Sequence, residues 1–308
     1  METCNEALPD LSGRTALVTG ASDGVGLHVA LALAGAGAHV LMPVRNRDKG
    51  ERAAARIREA VPGAQLSLRD LDLASLGSVR RLVDGLLAEG GPIHLCVLNA
   101  GVVLLGDPQR HVTTDGFELH FQTNFLAHRA LALGLLPLLQ DSLARVVLQG
   151  SLATRMARPA WGDLQLERRY RPLTAYARSK VALGLFGTEL ARRSAGRGRR
   201  LRVVQCHPGV VPDTGIAAAV RERASDTGRG SLARRLGNSP AQAARTALAA
   251  LTADVPAGSY FAPAGALQFA GPPRLVRPPR SITDPVAARR MWDVADVLLS
   301  RIPLVEQG

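Results

Sequence analysis

Short apolar runs alternate with amphipathic stretches from about residue 14 to beyond residue 200, and this rhythm constrains the chain more than any other feature. Residues 14–19, 38–44, 65–69, 93–98, 145–149 and 201–205 read as buried strands. Residues 25–36, 48–60, 75–88, a long stretch of roughly 114–139, and 174–194 read as helices. Short continuous apolar runs fit strands buried on both faces, and longer runs with a helical period fit the crossovers between them. Such an alternation calls for a parallel sheet covered by helices on both sides. Right-handed crossovers then make the doubly wound α/β sheet the natural solution.

The rhythm falters at residues 153–172 and 212–237. Long connections inside a compact domain are usually functional. Both leave the carboxyl ends of expected strands, the side on which such sheets bind ligands. The first is expected to wall a substrate site, with Trp161 either at its mouth or packing the insertion, and the second to form a mobile lid. A Pro-rich stretch, 263–285, follows a short apolar run at 259–261, and 286–300 reads as a closing helix. With no internal repeat and no clear linker, residues 1–308 read as a single domain with a C-terminal extension from about 262 to 308.

Composition excludes several classes. A chain of 308 residues with 46% hydrophobic and 21% charged residues buries a sizeable core and is neither disordered nor a disulfide scaffold. Cys4, Cys96 and Cys206 are scattered and form no CxxC pair, so no metal site is expected. The acidic N-terminus does not resemble a secretory leader, and no run of 18 apolar residues appears. The expectation is a cytoplasmic protein without a membrane span. The net charge of +12 is carried almost wholly by Arg, because Lys occurs only at Lys49 and Lys180. That looks like a coding bias, so it says little for a nucleic-acid partner, although a basic surface attracts phosphorylated ligands generally. The dense run Arg192, Arg193, Arg197, Arg199, Arg200 and Arg202 reads as a solvated helix end; no aromatic residue interleaves it, as a single-strand platform would need.

The first strand ends in Thr19-Gly20-Ala21-Ser22-Asp23-Gly24-Val25-Gly26. Glycines at a strand-to-helix turn let the backbone approach a pyrophosphate, and the helix N-terminus offers it free N–H groups and a positive dipole end. The spacing is G-x-x-x-G-x-G rather than G-x-G-x-x-G, so the strand before and the helix after it carry much of the inference. The second strand ends in Val44-Arg45. An acid there would hold the ribose 2′-hydroxyl of NAD; an Arg suits a 2′-phosphate, so NADP(H) is favoured over NAD(H). Lys49 adds charge, whereas Asp23 is a counter-signal beside the same phosphate.

Tyr176-Ala177-Arg178-Ser179-Lys180 is the sharpest local signal. Residues four apart share one helix face, and an ammonium beside a phenol favours phenolate. A tyrosine tuned in this way exchanges a proton with a substrate oxygen.

Taken together, these motifs resemble the short-chain dehydrogenase/reductase family over nearly the whole chain. The resemblance rests on the glycine turn at Thr19–Gly26, Asp70-Leu71-Asp72-Leu73, Leu98-Asn99-Ala100-Gly101, Asn124, Ser151, Tyr176 with Lys180, and Pro208-Gly209. Phe121 to His128 and the tail from Tyr260 to Trp292 are similar to the retinol-dehydrogenase-like branch. The resemblance implies a Rossmann-type fold with Tyr176 as general acid/base. Lys180 would bind the nicotinamide ribose and lower the tyrosine pKa. Ser151 would bond the substrate oxygen, and Asn124 would hold a water that relays protons to Lys180. Gly20, Ser22, Gly24 and Val25 would border pyrophosphate and ribose, and Asp23, Gly26 and Arg45 complete this end of the expected cofactor site. Asp72 and Leu73 would border the adenine, Asn99, Ala100 and Gly101 the cofactor ribose, and Pro208, Gly209 and Val211 the nicotinamide amide. Two departures matter. Gly150 stands where a second serine is common, and the threonine after Pro-Gly comes one place late, as Thr214, which leaves its cofactor contact in doubt. His128 reads as a packed structural residue and His207 as a strand-end hydrogen bonder.

The implied function is NADP(H)-dependent hydride transfer to a carbonyl or from an alcohol on a small, lipophilic molecule. The alternative is a non-catalytic NADP-binding regulator on the same fold. No nucleic-acid partner is expected, and a homo-oligomer is compatible with the sequence.

Overall fold

A computed structural model describes residues 8–196, 201–212 and 237–301. Arg197, Arg199, Arg200, Asp213, Thr214, Cys4 and nearly all of the expected lid over 212–237 lie outside the described residues.

Eight strands form one sheet: β1 (Thr15–Val18), β2 (His39–Val44), β3 (Leu66–Asp70), β4 (Leu95–Leu98), β5 (Arg145–Gln149), β6 (Arg202–Cys206), β7 (Tyr260–Pro263) and β8 (Pro273–Val276). The order is β3-β2-β1-β4-β5-β6-β7-β8, parallel throughout except for β8, which runs antiparallel to β7. The sheet is the Rossmann-type doubly wound fold that the alternation implies. Its strand order reverses between β1 and β4, and a crevice opens there at the strand ends.

Each face of the sheet carries its own core. On one face α1 (Gly24–Gly35), α2 (Arg47–Ala60) and α8 (Pro240–Thr252) bury Leu33, Ile57 and Ala247 against Val18, Val40 and Val204. α1 is apolar almost all round because it lies between the sheet and its neighbouring helices. On the other face α3 (Leu76–Glu89), α5 (Ala127–Gly134), α7 (Pro172–Gly196) and α10 (Pro285–Ser300) bury Phe125, Leu131, Phe186 and Met291.

The expected helix over 114–139 is not one helix. The chain turns through Gly116, whose φ is +84°, and pairs Val112 with Glu118 before the helix starts. α4 (Leu119–Phe121) passes into a π turn, Gln122–Leu126, then α5, and α6 (Leu136–Asp141) starts separately. Pro137 explains that last break, since proline lacks the N–H a helix interior needs but fits a first turn. The Pro-rich stretch 263–285 contains β8 and a short helix α9 (Arg280–Thr283), neither expected. Proline is tolerated in β8 because the strand is an edge. α8 was likewise not expected, although Ser239 and Gln242 form a capping box with Pro240 at its first turn.

α10 docks on α7 chiefly through Trp292. Its ring stacks on Phe186 at 5.6 Å, and the Arg193 and Arg129 guanidinium carbons lie 4.1 and 4.9 Å from its centroid. Trp292→Ala should cost about 3–5 kcal/mol in a urea titration, and Trp292→Phe clearly less, because the stacking face is kept.

Candidate active site

The crevice holds about 540 Å³ and runs from the glycine turn across the ends of β1, β4 and β5 to Pro208-Gly209. It is lined by Gly20, Ser22, Asp23, Gly24, Val25, Gly26, Arg45, Lys49, Asp72, Leu73, Asn99, Ala100, Gly101, Ser151, Tyr176, Lys180, Pro208, Gly209 and Val211. These come from seven separate stretches of sequence, and the sheet brings them to one edge. Leu71, Val102, Val103, Leu104, Thr123 and Gln149 also line it. Sequence reasoning missed these six because apolar or neutral side chains beside a motif carry no signature of their own.

The glycine turn is a cradle. Gly20 adopts φ +70°, and a Cβ on Gly26 would collide with the Gly20 carbonyl and the Asn99 amide. Asp23 caps α1, its Oδ1 accepting from the Gly24 N–H at 2.7 Å. Its Oδ2 accepts from Lys49 Nζ at 2.7 Å. Those two partners, with Arg56 farther off, hold the Asp23 carboxyl below its ordinary pKa against the opposing effect of partial burial. The acid that argued against an anion at this end is thereby largely neutralised by Lys49. Arg45 is exposed on the crevice wall and forms no ion pair with any described residue.

Thr19 organises the floor. Its Oγ1 accepts from the Asn99 and Ala100 N–H groups at 2.9 and 3.0 Å, and Asn99 Nδ2 donates back to the Thr19 carbonyl at 2.9 Å. His128, fully buried, lies 3.1 Å from the same hydroxyl, and its Nδ1 lies 3.3 Å from the Asn124 carbonyl. A carbonyl only accepts, so Nδ1 carries the proton and Nε2 is free to accept from Thr19. Burial first, then the Lys180 charge, push the His128 pKa down to about 3.

At the other end, α7 sets Tyr176 and Lys180 on one face. Lys180 is buried and donates to the Gln149 carbonyl at 2.9 Å. Burial pulls its pKa down to about 8. Tyr176 is hydrogen-bonded to Ser151, whose Oγ also accepts from the Ala153 N–H at 3.2 Å. The expectation that Lys180 lowers the tyrosine pKa is not met. Burial raises the Tyr176 phenol above its ordinary value, and Ser151, not Lys180, provides the opposing hydrogen bond. The physical reason is the direction of Nζ, which is bound to Gln149 on β5. Asn124 is fully buried behind Gly101 rather than on the crevice wall. Its side chain takes the Val102 N–H at 2.8 Å and donates to the Val102 carbonyl and to Ser179 Oγ at 3.1 and 2.9 Å.

Pro208-Gly209 is held by a relay. His207 donates from Nε2 to Gln268 Oε1 at 2.9 Å and accepts the Gly209 N–H at Nδ1 at 3.1 Å. Trp161 packs against the core beneath Arg290, 4.4 Å from its ring centroid, and is not on the crevice wall. Arg192 and Arg193 close on the buried Glu189, as a helix end does. Among the described residues no cluster of His, Cys, Asp and Glu could hold a metal, and no helix is long and apolar enough to cross a membrane.

Two observations test whether this crevice fits a nicotinamide dinucleotide. Only glycine allows the close approach at Gly20 and Gly26. The Thr123 hydroxyl, on the crevice wall, is buried without a hydrogen-bond partner, which a polar ligand would supply. Both fit.

Comparison with known proteins agrees. The family model described as short chain dehydrogenase matches residues 14–225. Mouse (Mus musculus) retinol dehydrogenase 12 is 40% identical over 210 residues, 68% of this chain and 64% of that protein, so the match spans under two thirds of that relative's length. Human (Homo sapiens) retinol dehydrogenase 11 is 34% identical over 293 residues, covering 94% of this chain and 86% of that one. Among solved structures, an uncharacterized protein from Mycobacterium Paratuberculosis superposes with a TM-score of 0.77 at 33% identity, covering 96% of this chain and 97% of that one. The Pseudomonas aeruginosa RhlG/NADP active-site complex matches with a TM-score of 0.63 at 26% identity, covering 80% and 93%.

The neutral, buried His128 gives a pH test. Unfolded, its imidazole takes up a proton near the ordinary value of 6.5; folded, only near 3. Between these values the unfolded chain binds more protons, so this contribution to stability is present above about 6.5 and is lost as pH falls. The urea midpoint of the wild type should therefore fall more between pH 7 and pH 5 than that of His128→Gln, which stays neutral throughout.

Proposed function

The chain belongs to the short-chain dehydrogenase family, in its retinol-dehydrogenase-like branch, and from that premise we propose that it is an NADP(H)-dependent oxidoreductase acting on a lipophilic ketone, aldehyde or alcohol. The observation that carries the proposal is the meeting of Tyr176, Ser151 and Lys180 on the wall of a crevice whose far end is a glycine cradle. When bound, the cofactor supplies or accepts the hydride.

The protein's own groups do the rest. The Ser151 hydroxyl is placed to hydrogen-bond a substrate oxygen while Tyr176 passes the proton to it or takes it away. Burial keeps Tyr176 protonated at neutral pH, which suits the acid role in carbonyl reduction. Lys180 lines the crevice and is placed to lend positive charge to a ribose hydroxyl. Asn124 clamps Val102, holds Ser179, and through its carbonyl meets His128, so it braces the wall beside Lys180. A water bridging Asn124 and Lys180 would complete a proton path to solvent. Arg45, with Lys49 beside it, supports the preference for a 2′-phosphate. The retinol-type relatives support an apolar substrate, and Val103 and Leu104 supply apolar wall.

Turnover of NADPH over a panel of lipophilic ketones and aldehydes tests the reading. Tyr176→Phe should lower kcat at least about a hundredfold with the dinucleotide Kd nearly unchanged. Dinucleotide binding with no turnover on any carbonyl, unaffected by Tyr176→Phe, would leave a non-catalytic binding protein instead. The cofactor preference has a separate test: Arg45→Ala should weaken NADPH roughly tenfold in a fluorescence titration and leave NADH almost unaffected.

A further inference from the structure

Behind Tyr176 lies a buried pair that the proton chemistry does not use. His120 and Glu118 are 0% and 1% exposed, and His120 Nδ1 lies 2.7 Å from Glu118 Oε1. The His120 ring meets the Tyr176 ring edge-on, with centroids 6.5 Å apart at 70°. On its other side His120 Nε2 lies 3.1 Å from the Leu104 backbone nitrogen. A backbone N–H only donates, so Nε2 is the bare acceptor and Nδ1 carries the proton that Glu118 receives. Glu118 is fixed in turn: its Oε2 accepts the Phe121 N–H at 2.7 Å, and its own N–H donates to Gln165 Oε1 at 2.7 Å. Arg110 ties the Gln165 carbonyl at 2.8 Å.

The wall this pair reaches has little else to hold it. β4 ends at Leu98, so the segment after it has left the sheet ladder while still lining the crevice. Two side chains stand in for the missing strand partner. Asn124 takes both polar groups of Val102, and His120 takes the N–H of Leu104. The second attachment continues through Glu118 and Gln165 into the insertion between β5 and α7. One line of hydrogen bonds therefore joins the insertion to the Val102–Leu104 wall, and its His120 ring lies edge-on against Tyr176.

We propose that His120 is a positioning residue for the hydride-transfer reaction. With its tautomer set by Glu118, it holds the Val102–Leu104 wall and the Tyr176 ring in register, so that a substrate carbonyl meets Tyr176 and Ser151 at reactive distance. This rests on the oxidoreductase reading above. The glycine turn and Arg45 lie at the far end of the crevice, so loss of His120 alters the reaction and leaves dinucleotide binding intact.

The test uses three variants of the full chain and one measurement that needs no activity. His120→Leu and His120→Asn place no acceptor at the Nε2 position and should lower kcat about tenfold or more, with NADPH Kd within about twofold of wild type. His120→Gln puts its Oε1 near that position and should recover most of the kcat. Histidine ¹⁵N NMR of the wild type should show His120 in the Nδ1–H tautomer. Equal kcat in the wild type and His120→Asn would overturn the proposal. So would His120→Gln and His120→Asn losing kcat alike, or an Nε2–H tautomer. A wild type that turns over no carbonyl would instead defeat the oxidoreductase reading, and the tautomer would still report on the clamp by itself.

Discussion

At the point where β1 and β4 diverge, the Thr19 hydroxyl accepts two consecutive amides, those of Asn99 and Ala100. A parallel sheet whose strand order reverses must split there, and the split leaves backbone groups without a ladder partner. One side-chain oxygen satisfies two of them and points the chain from Asn99 to Gly101 along the crevice floor. The remaining lone pairs and hydrogens fall into line behind it. Asn99 bonds back to Thr19, His128 approaches the same hydroxyl from α5, and the His128 Nδ1 reaches the carbonyl of Asn124. The Asn124 side chain then holds Val102. The open crevice is thus built on a closed account of buried polar groups, with the buried Thr123 hydroxyl left over on its wall.

Burial shapes the chemistry at the other end. Removing an ammonium and a phenol from water disfavours the charged form of each, so Lys180 shifts down and Tyr176 shifts up. The two shifts have opposite signs because the charged form is the acid in one group and the base in the other. Both leave the pair easier to move by a nearby dipole or charge than either would be in water. A site that holds a proton ready to transfer has this character.

Much of this was legible in the chain. The alternation of apolar runs and helices marked six of the eight strands closely, and Tyr176 with Lys180 named its own helix face. The glycine turn was readable because three glycines stand between an apolar run and an amphipathic stretch. What escaped had a common cause. β8 lies among prolines and owes its strand state to pairing with β7, not to local propensity. The π turn at Gln122–Leu126 has the composition of an ordinary helix. The lining residues Thr123 and Val102 to Leu104 have no chemistry that distinguishes them until a fold points them inward. The expected effect of Lys180 on the tyrosine pKa assumed that sharing a face meant facing each other, whereas Nζ is engaged by β5.

Sequence by itself determined the sheet class, the glycine turn after the first strand and the pairing of a tyrosine with a lysine, because each is a matter of local period, spacing or steric freedom. Tertiary structure alone decided which residues share the crevice, that Asp23 is neutralised by Lys49, that Trp161 is packing, and that His120 carries its proton on Nδ1. Those depend on where distant segments meet and on how much water each group loses there, and a linear string records neither.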